Sequence, residues 1–258
     1  SMWLETLAAD RPLAFLDHHF KQGNSLVGSD IEDIEELESD ANGDDEQYSL
    51  AEFGATREGT IERLMDIYSE FLAIENETVE DVQEMKRKYA EIEQDELRRR
   101  LVAMANVHTA ERFGLDVPGG AYERMAKALE DDEKWENVVE TDWYATAQTE
   151  AESDDFFHWK LAFPEAFYDL DGSVSTRRGF DVILGNPPYL LLQGTDQQEV
   201  MREQYPDIFT GSNDIAHFFL RQGGELLKRE GKLGFIITRY WLEADRSDTI
   251  RKYLSEEL

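Results

Sequence analysis

The feature that most constrains this chain is a short apolar run, Gly179-Phe180-Asp181-Val182-Ile183-Leu184-Gly185, leading directly into Asn186-Pro187-Pro188-Tyr189. Phe180 to Leu184 lacks the alternation of a half-exposed strand, so it reads as a buried strand of a parallel sheet. Two successive prolines cannot continue it. Each fixes φ near −65° and forces the residue before it into an extended conformation. A turn alone would accommodate these residues, but the preceding strand and following tyrosine set a particular constellation at one strand's C-terminal end. In open α/β sheets, crevices form there.

That constellation suits methylation of a planar amine. The lone pair of an exocyclic amine is delocalised into its ring, so attack on a methyl sulfonium requires acceptors that hold the two hydrogens out of plane. Asn186 offers a side-chain carbonyl with no proton to lose, and Pro187 offers a main-chain carbonyl. The diproline makes both rigid before substrate arrives, and preorganised dipoles aimed at developing charge are the most effective. Tyr189 adds a flat face for a base to stack on, worth roughly 1–3 kcal/mol. A base inside a duplex must be flipped out to reach such a pocket. No general base is required within the motif.

Three further segments accompany this one: Pro12-Leu13-Ala14-Phe15-Leu16-Asp17-His18-His19-Phe20-Lys21-Gln22-Gly23-Asn24-Ser25-Leu26-Val27-Gly28, Phe157-His158-Trp159-Lys160-Leu161-Ala162-Phe163-Pro164-Glu165-Ala166-Phe167, and Asp214 to Phe219 followed by Gly231 to Thr238. With Asn186 to Tyr189, the set resembles the amino-group DNA methyltransferases of the N6-adenine group. It looks most like the large single-chain enzymes of type IIG restriction–modification and BREX-type phage exclusion. The resemblance implies an α/β fold: a partial class I S-adenosylmethionine-dependent methyltransferase sheet, Rossmann-like, with a large helical insertion. It implies S-adenosyl-L-methionine as cofactor and double-stranded DNA with a flipped adenine as partner. It also implies that Asn186 and Pro187 hold the target amine, Pro188 stiffens the corner and Tyr189 stacks on the base. Asn24 falls where relatives often place an Asp that binds the donor's adenine; Asn both donates and accepts, so it can still contact that ring edge. Glutamine- and RNA-directed methyltransferases share Asn-Pro-Pro-Tyr, but the long stretch between Gly28 and Phe180 argues against them. A non-catalytic assembly piece of a larger defence protein is the other alternative.

The family's Gly-rich donor-binding turn is not found. Gly114, Gly119 and Gly120 lie between helical patterns with no strand before them, and nothing after residue 189 supplies such a turn. The chain also shows no target-recognition domain, and Ser1-Met2 reads as a tag-cleavage scar. The expectation is a fragment or truncated gene product, partnered by the remainder of a larger chain and inactive in DNA methylation by itself.

The formal net charge is −31, with 57 acidic against 26 basic residues, 17 of them Arg and 9 Lys, and no Cys. A surface rich in Asp and Glu and poor in Lys suits a salt-saturated cytoplasm and points to a halophilic source. At molar salt the Debye length is about 3 Å, so repulsion of DNA becomes local, while phosphate-driven affinity weakens. An acidic DNA mimic also fits this charge but gives no reason for Asn186 to Tyr189. The lack of Cys excludes disulfides and thiolate metal sites. No apolar run is long enough to span a bilayer, so no membrane partner and a cytoplasmic location are expected.

Along the chain, residues 1–28 read as a piece of the methyltransferase core, with a short strand and loop over 13–28. Residues 29–56 read as a solvated acidic connector, 57–150 as a helical insertion, and 151–258 as the catalytic half. Helical spacing links Ile61, Leu64, Met65, Tyr68, Phe71 and Leu72, and a longer pattern runs from Val79 to His108 and stops near Gly114. Tyr122, Met125, Ala126 and Leu129 indicate a shorter helix. Beyond the motif, 190–212 reads as a mobile loop and 213–228 as a helix capped by Asn213 or Ser212. Leu233 to Thr238 reads as a strand and Ser247 to Leu254 as a helix. His18-His19 and His158 lack ligand partners at metal spacing. Asp81 with Glu84 and Lys86 matches a nuclease pattern, but on a helix. Arg98-Arg99-Arg100 reads as a surface with local ion pairs, and Trp159 and Phe163 as core.

Overall fold

A computed structural model of the chain describes residues 15–37, 46–176, 178–192, 194, 197–211, 213–244 and 247–256. Within them lie twelve α-helices and a two-stranded parallel sheet, a mixed α/β architecture. The N-terminal stretch holds a 3-10 turn at Asp17–His19 where a strand was expected. Residues 13 and 14 of that segment lie outside the described ones.

The acidic segment departs from a solvated connector. Helix α1 (Ile31–Leu37) buries Ile31 and Ile34 completely, and α2 (Glu46–Leu72) begins within the same segment and buries Phe53. The apolar residues in this run recur at helical spacing, and charge density hid them. Residues 38–45 lie outside the described ones.

The long helical pattern is two helices, α3 (Val79–Gln94) and α4 (Glu96–Arg112), divided at Asp95. Asp95 ends α3 and begins α4, where its side chain accepts from the Arg98 N–H at 2.8 Å. Two such helices can fold back on each other, which one continuous helix cannot. Thr78 starts α3 with a reciprocal capping box, its side chain bonded to the Asp81 N–H and the Asp81 carboxylate to the Thr78 N–H. Asp81 is therefore a cap on a helix with no strand beside it. Helices α5 (Ala121–Ala128), α6 (Asp132–Val139) and α7 (Asp142–Ser153) complete the block. Arg100 is buried rather than on the surface. It donates to the Ala128 and Leu129 carbonyls at the end of α5 and pairs with Asp132.

Two short helical turns, α8 (Trp159–Ala162) and α9 (Pro164–Phe167), lead to β1 (Phe180–Gly185). After β1 comes α10 (Gln197–Gln204), in the stretch expected to be a mobile loop. Met201, Tyr205 and Ile208 are buried there with Leu192, which anchors the segment. Helix α11 (Ile215–Leu226) is capped by Asp214, whose carboxylate accepts from the Ala216 N–H. The expected cap Asn213 instead closes the preceding turn, accepting from the Thr210 N–H and donating to the Ile208 carbonyl; Ser212 lies outside the described residues. Strand β2 (Leu227–Phe235) begins earlier than expected and pairs parallel with β1, Ile183 opposite Leu233 and Gly185 opposite Phe235. Parallel strands need a crossover, and α10 with α11 provides it. A 3-10 turn (Arg239–Leu242) and α12 (Asp248–Glu256) finish the chain.

Two apolar clusters hold these elements. One joins the helical block to α8, α9 and Phe180; the other packs Leu26 and Val27 with α10, α11 and Ile250. Strand β1 is not buried as expected. Val182 is 53% and Leu184 77% exposed, because among the described residues β1 has a single neighbouring strand and lacks full cover.

Candidate active site

The corner at the end of β1 is built from close approaches. A Cβ on Gly185 would meet the Phe235 ring at 2.7 Å, so a larger residue here would force that ring to shift from its place over the strand end. The Ile236 N–H then donates to the Gly185 carbonyl at 3.0 Å. Asn186 is exposed, Pro187 buried and Pro188 exposed. The exit is pinned as well: the Ile215 N–H donates to the Leu190 carbonyl at 2.9 Å, tying the motif to the start of α11.

Tyr189 leans back over the corner. Its hydroxyl lies 3.3 Å from Asn186 Oδ1 and 3.2 Å from the Ile236 carbonyl, and its ring is 57% exposed. One hydroxyl hydrogen serves one acceptor at a time, and both distances are long for an O–H···O bond. The hydroxyl is therefore held loosely at either acceptor.

Beside this corner lies a cleft of about 540 Å³ whose lining includes Asn186, Pro187 and Pro188. Trp159, Phe163 and Phe180 form one aromatic wall, with ring centroids 5.7–6.0 Å apart; these residues are cleft as well as core. Phe219, Gly223 and Phe235 line it from α11 and β2, and His19, Ser25, Glu165 and Gln222 are its other polar lining residues.

Asn24 is not part of that lining, whereas its neighbour Ser25 is. The Asn24 N–H donates to the Asp155 carbonyl at 2.6 Å, and Oδ1 sits 3.3 Å from the Leu26 N–H, closing a local turn. Trp159 Nε1 donates to the Ser25 carbonyl at 3.0 Å. Gly28 approaches Phe157 so closely that a Cβ would sit 2.0 Å from its carbonyl oxygen. The N-terminal segment and the Phe-His-Trp segment, far apart in sequence, are thus one packed unit.

His158 locks that unit. Its Nδ1 accepts from the Ser29 N–H at 3.1 Å, and Nε2 lies 2.7 Å from Asn106 Oδ1 on α4. Burial pushes its pKa down to about 4, so the ring is neutral at pH 7. His18 stacks on Phe15 and meets Phe71 edge-on. Among the described residues no three His, Asp or Glu side chains form a metal-binding group. Close by, Lys160 pairs with Asp30 at 2.6 Å and with Glu32 at 3.1 Å, and Tyr168 donates to Glu32 at 2.6 Å. Burial alone would raise Glu32, but Lys160, Tyr168 and Arg57 outweigh it and hold the carboxyl below its usual range.

Glu165 carries no role in the sequence reading, although it sits within the quoted Phe-Pro-Glu segment. It lines the cleft, and its Oε2 is buried with no hydrogen-bond partner among the described residues. Burial pushes its pKa up, against the pull of its own backbone N–H and of Lys21.

The described residues thus form a mixed α/β protein with an apolar cleft at the end of a parallel strand, rimmed by an Asn-Pro-Pro corner. The profile of the Eco57I restriction-modification methylase family matches residues 97–258, and the chain belongs to that family. It is 38% identical over 98 residues to a putative type II restriction enzyme and methyltransferase of Methanocaldococcus jannaschii, covering 38% of this chain and 7% of the relative. It is 30% identical over 97 residues to a type II restriction enzyme and methyltransferase of Escherichia coli, covering 36% of this chain and 10% of the relative. The matched stretches thus span a small fraction of those relatives' lengths. No solved structure matches the chain.

Proposed function

We propose that this chain carries the target-amine half of an S-adenosylmethionine-dependent N6-adenine DNA methyltransferase of the type II restriction–modification kind, working in the cytoplasm as part of a larger protein. The carrying observation is the position of Asn186, Pro187 and Pro188 on the rim of an open cleft at the C-terminal end of β1. The sheet is read as part of a class I, Rossmann-like core, with the helical block over 57–150 inserted between its halves and 151–258 as the catalytic half. No helix among the described residues is long and apolar enough to cross a membrane.

The cleft suits the cofactor in two respects: aromatic walls for a planar nucleoside and, among the described residues, a carboxyl with one unpartnered oxygen for its polar edge. When bound, the donor supplies an electrophilic methyl group. The chain's own part is to hold a flipped adenine. Asn186 Oδ1 and the Pro187 carbonyl accept the two amine hydrogens, which turns the nitrogen lone pair toward the methyl group. Tyr189 swings from Asn186 to the base and stacks on it, while the diproline keeps both acceptors from relaxing away. In the intact protein, Asn186→Ala should lower methyl transfer at least a hundredfold, about 2.7 kcal/mol by analogy with loss of one preorganised hydrogen-bonding group, with donor affinity nearly unchanged. Transfer of labelled methyl groups to DNA and equilibrium donor binding measure the two quantities; equal loss of both would remove the assigned role.

A further inference from the structure

We propose that Glu165 is a specificity residue for an adenine nucleoside bound in the aromatic cleft, pairing with the edge of the ring that carries the exocyclic amine. The inference deepens the methyl-transfer reading, in which donor and target both contain adenine, and it rests on that reading for the choice of base.

Three observations meet at this residue. Glu165 stands on the short turn α9, in the lining of a cavity otherwise walled largely by aromatic and aliphatic side chains. Its Oε2 is out of contact with water and has no partner among the described residues, so a ligand in the cleft reaches it by a turn of the side chain toward the opening. A polar atom left so costs about 1–3 kcal/mol, a cost a ligand hydrogen bond would remove. Trp159 and Phe163 lie nearly parallel, 27° between planes, next to Phe180, and provide the flat faces that a purine requires.

The chemistry selects the base. A protonated carboxyl presents an O–H donor beside a C=O acceptor, the complement of adenine N1 and its N6 amine. An ionised carboxylate still accepts from the amine but repels the N1 lone pair. Burial raises Glu165 and so favours the protonated form. The groups around it are Lys21, which lowers it, and the Tyr68 and Tyr89 hydroxyls of α2 and α3, which feel its charge. Arg98 and Glu93 act on both tyrosines, and His19 lines the same cleft. Adenosine affinity is therefore full at low pH and falls as pH rises through the elevated Glu165 pKa.

The test titrates the 258-residue chain with adenosine and with purine riboside, which lacks the amine, following heat and tryptophan fluorescence. Adenosine should bind about tenfold more tightly than purine riboside, as for one lost hydrogen bond. Glu165→Leu should weaken adenosine about tenfold and erase the preference. Glu165→Gln, whose amide keeps a donor beside an acceptor, should retain the preference and lose the pH dependence that Glu165 contributes. Should the Leu variant fail to fold by circular dichroism, the Gln variant decides alone. Competition by S-adenosylhomocysteine assigns the site to the donor, and competition by a single-stranded oligonucleotide with one adenine assigns it to the target. Displacement by neither overturns the proposal, as does equal binding of the two nucleosides, an unchanged Leu variant, a pH dependence in the Gln variant like the wild type's, or no saturable adenosine binding at millimolar concentration. Methyl transfer by an intact protein whose Glu165→Leu variant binds and turns over normally would remove this inference and leave the methylase reading standing.

Discussion

Asn186 and Tyr189 lie three residues apart and touch each other before any substrate is present, through a hydroxyl 3.3 Å from Oδ1. The contact is long, and both residues are exposed, so it is readily broken. Tyr189 thus has two separable parts, an exposed ring, to which the proposed function gives the stacking, and a hydroxyl that rests on the corner. Tyr189→Ala should remove the ring and weaken base stacking by roughly 1–3 kcal/mol. Tyr189→Phe should keep it. In the intact protein, a fluorescent adenine analogue at the target position should brighten on binding to wild type and to the Phe variant, and much less with the Ala variant. Equal brightening in all three would deny the tyrosine its stacking role. The place of these residues at the end of a strand was legible in sequence, because an apolar run stopped by a diproline needs no tertiary context. Glu165 was not legible, because its significance is the absence of a partner, which only the packing around α9 reveals.

Helices were legible as helices wherever apolar spacing was regular, though not always their ends, and segments were misread where charge or glycine dominated. The end of α4 at Phe113, followed by Gly114 at φ +103, falls where the glycine signals it. The division at Asp95 was hidden because helical spacing continues across it on both sides. The stretch after the motif looked loop-like from its glycines, yet Met201 and Tyr205 bury α10 against α11. One contact ties three elements together: His158, at the start of α8, bonds the Ser29 backbone and Asn106 of α4. Its folded pKa of about 4 lies below the ordinary His value of about 6.5. The unfolded chain therefore takes up a proton in that window that the folded one refuses. The resulting stabilisation is complete above pH 6.5, is lost as pH falls toward 4, and totals roughly 3 kcal/mol. His108 is also held to about 4, by burial and Arg112, and shifts stability in the same direction, whereas burial raises Asp30 and Glu165, which shift it the opposite way. Comparison with His158→Gln isolates the one ring. Urea unfolding at pH 7.5 and pH 5 should show wild type losing about 2 kcal/mol more than the variant between the two conditions. Identical losses would mean that His158 is protonated in the folded state.

For the whole molecule, two surface properties pull against each other. A formal charge of −31 favours expansion and keeps copies apart, while Val182, Leu184, Leu191, Ile236 and Tyr240 expose apolar side chains around the two-stranded sheet. A sheet of two strands is rarely stable uncovered, and contiguous exposed apolar groups mark contact surfaces. Salt acts on both properties in known directions. It screens the carboxylates, which stabilises the compact state, and it removes the long-range repulsion that prevents apolar faces from meeting. From 0.1 to 2 M KCl the melting temperature should therefore rise by roughly 5 °C, on the order of 1–2 kcal/mol for a chain this size. Over the same range, sedimentation should change from monomer toward larger species. Val182→Lys with Leu184→Lys places two charges on β1, a device by which sheet edges are kept from pairing. That double variant should show the same rise in melting temperature and stay monomeric at 2 M. The stability response belongs to the carboxylates and the association response to the sheet, so the variant separates them. Wild type remaining monomeric at both salts would show that the exposed sheet residues do not attract one another, and a falling melting temperature would show that carboxylate repulsion is not what limits the fold.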